Sequence, residues 1–351
     1  MTTIKKHLKT ALSALAITAG AMMTQSAMAE TVMRVGTWLP PTNAQNAVVW
    51  PTWAKWVEEA TEGRVKIKIE QGLGHPKTMF QLVEDGIIDA SFSYHGYVPG
   101  RFKLPQVVEL PNLNTGAEAA SVALWRVYKK YLEKAGEFDG LEVIGMFTHG
   151  AGQIHTKAPI TSLKDLEGQK IRVGGGIQSV LAERMHVTPV GAPAPKVYEM
   201  LQQGVIDGVF LPMMEQKVLR LNEVTTDVVM LPGGMYMGSF SIFVNPEFLE
   251  DLDPRDRDAI LSVSGEKLSA MAGRAWDAGD AEGVAAAREA GVKIVEVAKG
   301  DKMDLEFQQL IKGVDQEWID SVADRKVDAK GALTELRSIA HAYQAKLDAG
   351  E

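Results

Sequence analysis

Hydrophobic and polar positions along this chain alternate between two rhythms. Short, nearly continuous apolar runs predict strands over residues 31–39, 65–70, 87–93, 141–148, 170–173, 205–211, 227–231, 239–244 and 291–297. Helical spacing predicts the elements between them. One helix starts near Trp50 and Pro51, with Trp53, Ala54, Val57 and Ala60 on its buried face, so both tryptophans read as core residues. The next carries Met79, Phe80, Leu82 and Val83 and ends at Gly86. A third covers residues 117–135 with Ala120, Leu124, Val127 and Tyr128 inward. A fourth, residues 196–203, presents Val197, Met200 and Leu201 and stops at Gly204. A long helical region runs from Asp253 to about residue 290, with Ile260, Leu261, Leu268, Met271 and Trp276 as candidate core positions. Beyond residue 297 the chain is helical and polar.

Residues 161–214 organise the rest. Ser162 and Asp165 suit the cap of a short helical turn that Gly168 ends. The strand 170–173, the helix 196–203 and the strand 205–211 then form the strand–helix–strand unit of a parallel sheet. Arg172 lies near the end of the first strand, where the chain enters Gly174-Gly175-Gly176. Open parallel sheets bind ligands at the carboxyl ends of their strands. Arginine offers a flat fork of donors matched to a carboxylate or phosphate and keeps its charge at any working pH. Its position selects Arg172 as a binding residue over a surface ion-pair partner.

An internal echo extends this pattern. Residues 79–92 (MFQLVEDGIIDASF) match residues 197–210 (VYEMLQQGVIDGVF), with Gly86 over Gly204 and Asp89 over Asp207. A single echo is too little for a repeat array. It implies two similar α/β lobes facing each other, a clamshell. Both aspartates read as turn or capping residues rather than catalysts. The first lobe is assigned residues 30–150 plus about 239–276, the second residues 151–238 plus about 277–325, with a C-terminal helical segment at 326–351. Loops leaving the strands supply the candidate ligand-binding residues: Trp38, Tyr94, His95, Tyr97, His149, Gln153, Gly175, Met213 and Tyr236.

Composition narrows the function. Lys5, Lys6 and Lys9, an apolar stretch over residues 11–23, and Ala27-Met28-Ala29 have the form of a cleavable secretory signal, with cleavage before Glu30. The apolar stretch is too short to span a bilayer. Losing those three lysines takes the net charge from −8 to −11, a balance unsuited to nucleic acid. With no cysteine, thiol catalysis and cysteine metal sites are excluded. The seven histidines show no metal-ligand spacing, so no metal or other cofactor is expected. No nucleophile elbow or phosphate-binding loop occurs. Gly174-Gly-Gly-Ile-Gln-Ser faintly follows a dinucleotide loop, but Ser179 stands where its last glycine belongs. Met213, Met214, Met235 and Met237 lie in loops, as adaptable pocket lining or as core filling.

Leu163-Lys-Asp-Leu-Glu-Gly-Gln-Lys-Ile-Arg-Val followed by Val197-Tyr-Glu-Met-Leu-Gln-Gln-Gly-Val-Ile-Asp-Gly resembles the solute-binding proteins of TRAP (tripartite ATP-independent periplasmic) transporters, DctP type. The likeness covers nearly all of the chain after residue 30. It implies a two-lobed clamshell with a long helix spanning both lobes. It also implies a non-enzymatic periplasmic receptor, monomeric, that delivers an organic acid to a small and a large membrane subunit driven by a sodium gradient. The family's carboxylate-clamping arginine matches Arg172. Several positions depart from the family pattern. Gly152 stands where many members carry a second arginine, and Leu211 precedes Pro212 in place of an asparagine. Gly175, Tyr94 and Ala194 replace an asparagine, an acid and an aromatic residue. One clamp with fewer polar groups implies a monocarboxylate with an apolar or aromatic body. A dicarboxylate, a hydroxy acid, a sugar acid, a receptor of an ATP-driven transporter and a secreted enzyme stand as the alternatives.

Overall fold

The computed structural model describes residues 30–350, so the signal-peptide reading lies outside the described residues. Their apolar runs settle into eleven strands: β1 (Thr31–Thr37), β2 (Val65–Gln71), β3 (Ala90–Tyr94), β4 (Glu142–Thr148), β5 (Gln153–Thr156), β6 (Lys170–Val173), β7 (Thr188–Gly191), β8 (Gly208–Leu211), β9 (Asp227–Met230), β10 (Ser239–Val244) and β11 (Lys293–Glu296). The α-helices are α1 (Trp50–Ala60), α2 (Met79–Glu84), α3 (Ala117–Val127), α4 (Ile177–Arg184), α5 (Val197–Gln202), α6 (Glu215–Val218), α7 (Pro246–Glu250), α8 (Pro254–Ser262), α9 (Glu266–Glu289), α10 (Lys302–Leu310), α11 (Val314–Ser321) and α12 (Ala329–Ala349). Among the described residues no helix is long and apolar enough to cross a membrane.

The strands form two sheets, ordered β2-β1-β3-β10-β4 and β11-β9-β5-β8-β6-β7. In the first, β10 runs antiparallel to β3 and β4 while β1 pairs parallel with β2 and β3. In the second, β5 runs antiparallel to β8 and β9, and β6 pairs parallel with β7 and β8. Each sheet is one lobe. The chain crosses from the first to the second between β4 and β5 and returns between β9 and β10. The two crossings pair through their backbones: Gly152 N–H donates to Tyr236 O at 2.8 Å and Met235 N–H to Gly152 O at 2.9 Å.

The sequence echo is a structural one. Gly86 and Gly204 take the left-handed conformation (φ 65° and 71°) that closes a helix end. Ile87 and Val205 then donate their N–H groups back to Leu82 O and Met200 O. Asp89 N–H donates to Arg34 O while its carboxylate accepts from Arg34 N–H at 2.6 Å. Asp207 repeats both bonds with Lys170, its carboxylate accepting at 2.9 Å. These turns consume the first residues of the predicted strands, so β3 and β8 start three residues later than the apolar runs do. Thus Ile87 and Val205 are exposed, while Ile88 and Ile206 are buried.

Other boundaries also shift. β5, β7 and α4 were not legible as elements; β7 is a four-residue edge strand containing Pro189, where a missing donor costs nothing. The long helical region breaks at Gly265 (φ 66°), whose N–H donates to Ile144 O in the first lobe at 2.6 Å. α9 then spans both lobes over 24 residues. Its first half meets the first lobe: the Asp277 carboxylate accepts from Ala117 and Glu118 N–H and caps α3. Its second half meets the second lobe: Asp280 accepts from Met214 N–H at 2.7 Å, and Ala287 packs with Met213 and Val228. Residues up to about 325 do not all stay with the second lobe, as the sequence reading has them. α11 returns to the first lobe, where Trp318 Nε1 donates to Lys103 O at 2.9 Å, and α12 packs on α3 beside it.

Candidate ligand-binding site

A small cavity, partly open to solvent, lies between the two sheets where strand ends converge. Trp38 reaches it from just past β1, Tyr94 from the end of β3, His149 from just past β4, Arg172 from β6 and Leu211 from the end of β8. Phe240 of β10 and Trp276 of α9 complete an apolar wall. Arg172 is 1% exposed. Its Nε–H donates to Ala192 O at 2.7 Å and Nη2 donates to Tyr97 Oη at 3.3 Å. Nη1 is buried with no hydrogen-bond partner among the described residues. A buried guanidinium donor without a partner is costly unless something negative meets it.

Aromatic rings set the shape. Trp38 stacks on Phe92 (centroids 5.0 Å apart) and meets the edge of Tyr97 at 5.7 Å; its Nε1–H donates to Phe92 O at 2.9 Å, which holds the indole plane. Tyr94 crosses Tyr97 edge-on at 5.1 Å, and Phe240 lies 5.8 Å from Trp276. Tyr97 Oη also accepts from Ala194 N–H at 2.9 Å, so the phenol ties lobe 1 to the arginine and its neighbouring loop. Burial pushes the Tyr94 and Tyr97 phenols above their ordinary range, so both stay protonated.

The acids around the cavity are shifted too. Burial pushes Glu215 up to about 8; Asp280 adds to the rise and Arg172 opposes it. Asp280 itself is raised to about 7 by burial. Glu109, also raised to about 7 by burial, accepts from Ile177 N–H (2.9 Å), Ser239 N–H and the Ser239 hydroxyl (2.7 Å). Its carboxyl group therefore bridges the first lobe to the start of α4 in the second. His149 is lowered to about 4 by burial and is neutral.

Comparison with known proteins decides what this arrangement is. Residues 35–319 match the family described as bacterial extracellular solute-binding protein, family 7 (DctP). The chain belongs to that family. A curated relative from Comamonas testosteroni, the outer membrane transporter protein TsaT, is 30% identical over 87% of this chain and 90% of its own length. A TRAP periplasmic solute-binding protein from Bordetella bronchiseptica, solved with bound (R)- and (S)-mandelate, is similar at a TM-score of 0.86. It shares 32% identity across 89% of this chain and 99% of that one. A TRAP solute-binding protein from Rhodoferax ferrireducens, in complex with copurified benzoate, gives a TM-score of 0.84 and 28% identity over 91% and 99% of the two chains. This family 7 protein is thus a two-lobed TRAP solute receptor.

Within the family 7 fold, the residues selected from sequence divide into two groups. Trp38, Tyr94, Tyr97, His149 and Arg172 line the cavity. The other five do not. His95 follows Tyr94 and turns the opposite way, as successive residues at a strand end do; its ring nitrogens meet the Ser239 and Ser241 hydroxyls at 2.9 and 3.0 Å. Gln153 accepts from Leu231 N–H at 3.0 Å and holds the return crossing in place. Met213 sits in a small core with Val228 and Ala287. Gly175 (φ 108°) presses against lobe 1, where a Cβ would lie 2.1 Å from Gly96 O, and Gly175 O accepts from Tyr94 Oη at 3.0 Å. Tyr236 donates to Phe210 O at 3.1 Å, and its ring fills the space a side chain at Gly152 would need. Sequence reasoning missed Gln178, Glu215 and Phe240, and it placed Trp276 only in the core. The glycine loop before Gln178 was the available signal for that residue; for Glu215 there was none.

Proposed function

We propose that this receptor captures a monocarboxylate with an aryl or similarly apolar body, gripped through Arg172. The observation that carries the reading is the buried, unpartnered Arg172 Nη1 at the edge of a cavity walled by Trp38, Tyr94, Tyr97, Phe240 and Trp276. Among the described lining residues Arg172 is the one lysine or arginine, so a second carboxylate would find no cationic side chain to meet it. The mandelate and benzoate held by the two structural relatives belong to this chemical class. In magnitude the reading is coherent. Micromolar binding needs about 8 kcal/mol. A charge-assisted bond contributes about 1.5–3 kcal/mol, and burying a phenyl-sized body contributes about 4–6 kcal/mol at 25 cal/mol per Å².

Closure of the lobes on the ligand favours the shut form because one molecule contacts both. The loaded receptor then hands its cargo to the small and large membrane subunits of a sodium-driven transporter. It acts as a periplasmic monomer exported by the signal at residues 1–29, with no catalytic step. A thermal-shift screen of the protein from Glu30 tests the ligand class. Benzoate, phenylacetate or mandelate at 100 times Kd should stabilise by about 2.7 kcal/mol, several degrees. Hits confined to sugar acids or dicarboxylates would refute it.

A further inference from the structure

Among the described cavity-lining residues three buried polar atoms lack a partner: Arg172 Nη1, Trp276 Nε1, which can only donate, and Glu215 Oε2; Glu215 carries the inference. It is 2% exposed, stands at the start of α6 directly after the Pro212-Met213-Met214 turn, and lines the same cavity as Arg172. Its Oε2 has no hydrogen-bond partner among the described residues, although Arg172 shares the site. Held protonated by burial beside Asp280, which is itself occupied by Met214 N–H, the carboxyl group offers both an O–H donor and a carbonyl acceptor. An anionic Glu215 would repel a ligand carboxylate; a neutral one can read a polar group on its body. A hydroxyl suits it in either sense, since it donates and accepts.

We propose that Glu215 is the residue that selects a hydroxyl-bearing aryl carboxylic acid: Arg172 takes the carboxylate and Glu215 takes the hydroxyl. This rests on the aryl-carboxylate reading and adds to it. A ligand without the hydroxyl leaves the buried carboxyl group unpaired, which is how a polar site rejects a deoxy analogue.

Calorimetric titration of two pairs differing by one hydroxyl tests it: mandelate against phenylacetate, and 3-hydroxybenzoate against benzoate. In the native protein at least one pair should favour the hydroxylated acid by about tenfold or more, 1.4 kcal/mol. Glu215→Met should bring that ratio within about threefold, and Glu215→Gln, neutral with a donor and an acceptor, should retain part of it. Ratios near one for both pairs in the native protein would overturn the role of Glu215 while leaving the aryl-acid reading intact. So would a preference that survives in a folded Glu215→Met. Failure of all four acids to bind the native protein would overturn both.

Discussion

Replacing Arg172 by methionine separates binding from folding. The substitution keeps an unbranched stem and removes the guanidinium, whose Nη1 has no partner among the described residues. On the ligand side, a buried carboxylate loses its charged partner. Truncating one member of such a pair costs about 2–5 kcal/mol, roughly 30- to 5,000-fold in Kd. On the protein side the loss is small. Ala192 O and Tyr97 Oη lose bonds of 2.7 and 3.3 Å, at about 1 kcal/mol each. Removing a buried cation without a paired anion offsets that, since replacing buried charges by apolar side chains is often neutral or stabilising. Benzoate titrations and urea unfolding of the ligand-free protein provide the assay. Affinity should collapse while the unfolding midpoint stays near that of the native protein or rises. Unchanged benzoate affinity would refute the clamp, and a collapsed midpoint would make Arg172 a structural residue. Arg172→Lys should fall between, because one ammonium cannot reach Ala192 O and the ligand together.

Other substitutions and pH probe the remaining links. Gly175→Ala would force a side chain against Gly96 O at φ 108°, so it should weaken benzoate by about tenfold or more and shift the free protein toward an open form. Native affinity with an unchanged radius of gyration in small-angle scattering would contradict that. Tyr97→Phe should lower affinity about tenfold by freeing Arg172 Nη2 and Ala194 N–H, checked in the same titrations. Thermal stability should rise as pH falls from 8 to about 6.5. In that window the folded chain takes up protons at Glu109, Glu215 and Asp280, which the unfolded chain does not, at about 1.4 kcal/mol per proton per pH unit. Below pH 6.5 the buried His95, His149 and His155, held to about 3, 4 and 4 by burial, act in the opposite sense, because the unfolded chain binds their protons first. The curve should therefore flatten between about 6.5 and 4.5 and fall below that. Melting temperature against pH, with Glu109→Gln and Glu215→Gln flattening the alkaline limb, checks the assignment.

The fold was legible where local and global signals agree. The glycine stop, apolar pair and aspartate recur because each lobe needs the same bond between a turn aspartate and the neighbouring strand, Asp89 with Arg34 and Asp207 with Lys170. Arg172 stood out as a charge near the end of a strand, just before Gly174-Gly175-Gly176, and the structure buries it. What escaped depends on distant partners. His95 and Tyr94 look equivalent in a loop, yet one faces Ser239 and Ser241 and the other faces the cavity. Helical spacing put Trp276 in the core correctly but could not say that the same ring also walls the cavity. Glu215 carried no signal in the sequence because its burial comes from tertiary packing, with α6 against α9 and the side chain at the cavity between the lobes. The space at Gly152, filled by Tyr236 from the returning crossing, shows how a missing side chain at one position is answered from 84 residues away.

The central claim is that a single buried guanidinium recognises a carboxylate inside an aromatic cavity. Titrating the protein from Glu30 with benzoate and with benzamide, which share a ring and differ in charge, tests it most directly. Benzoate should bind and benzamide should bind at least about 30-fold more weakly. Equal affinities, or no binding of benzoate beside tight binding of a sugar acid, would contradict the account.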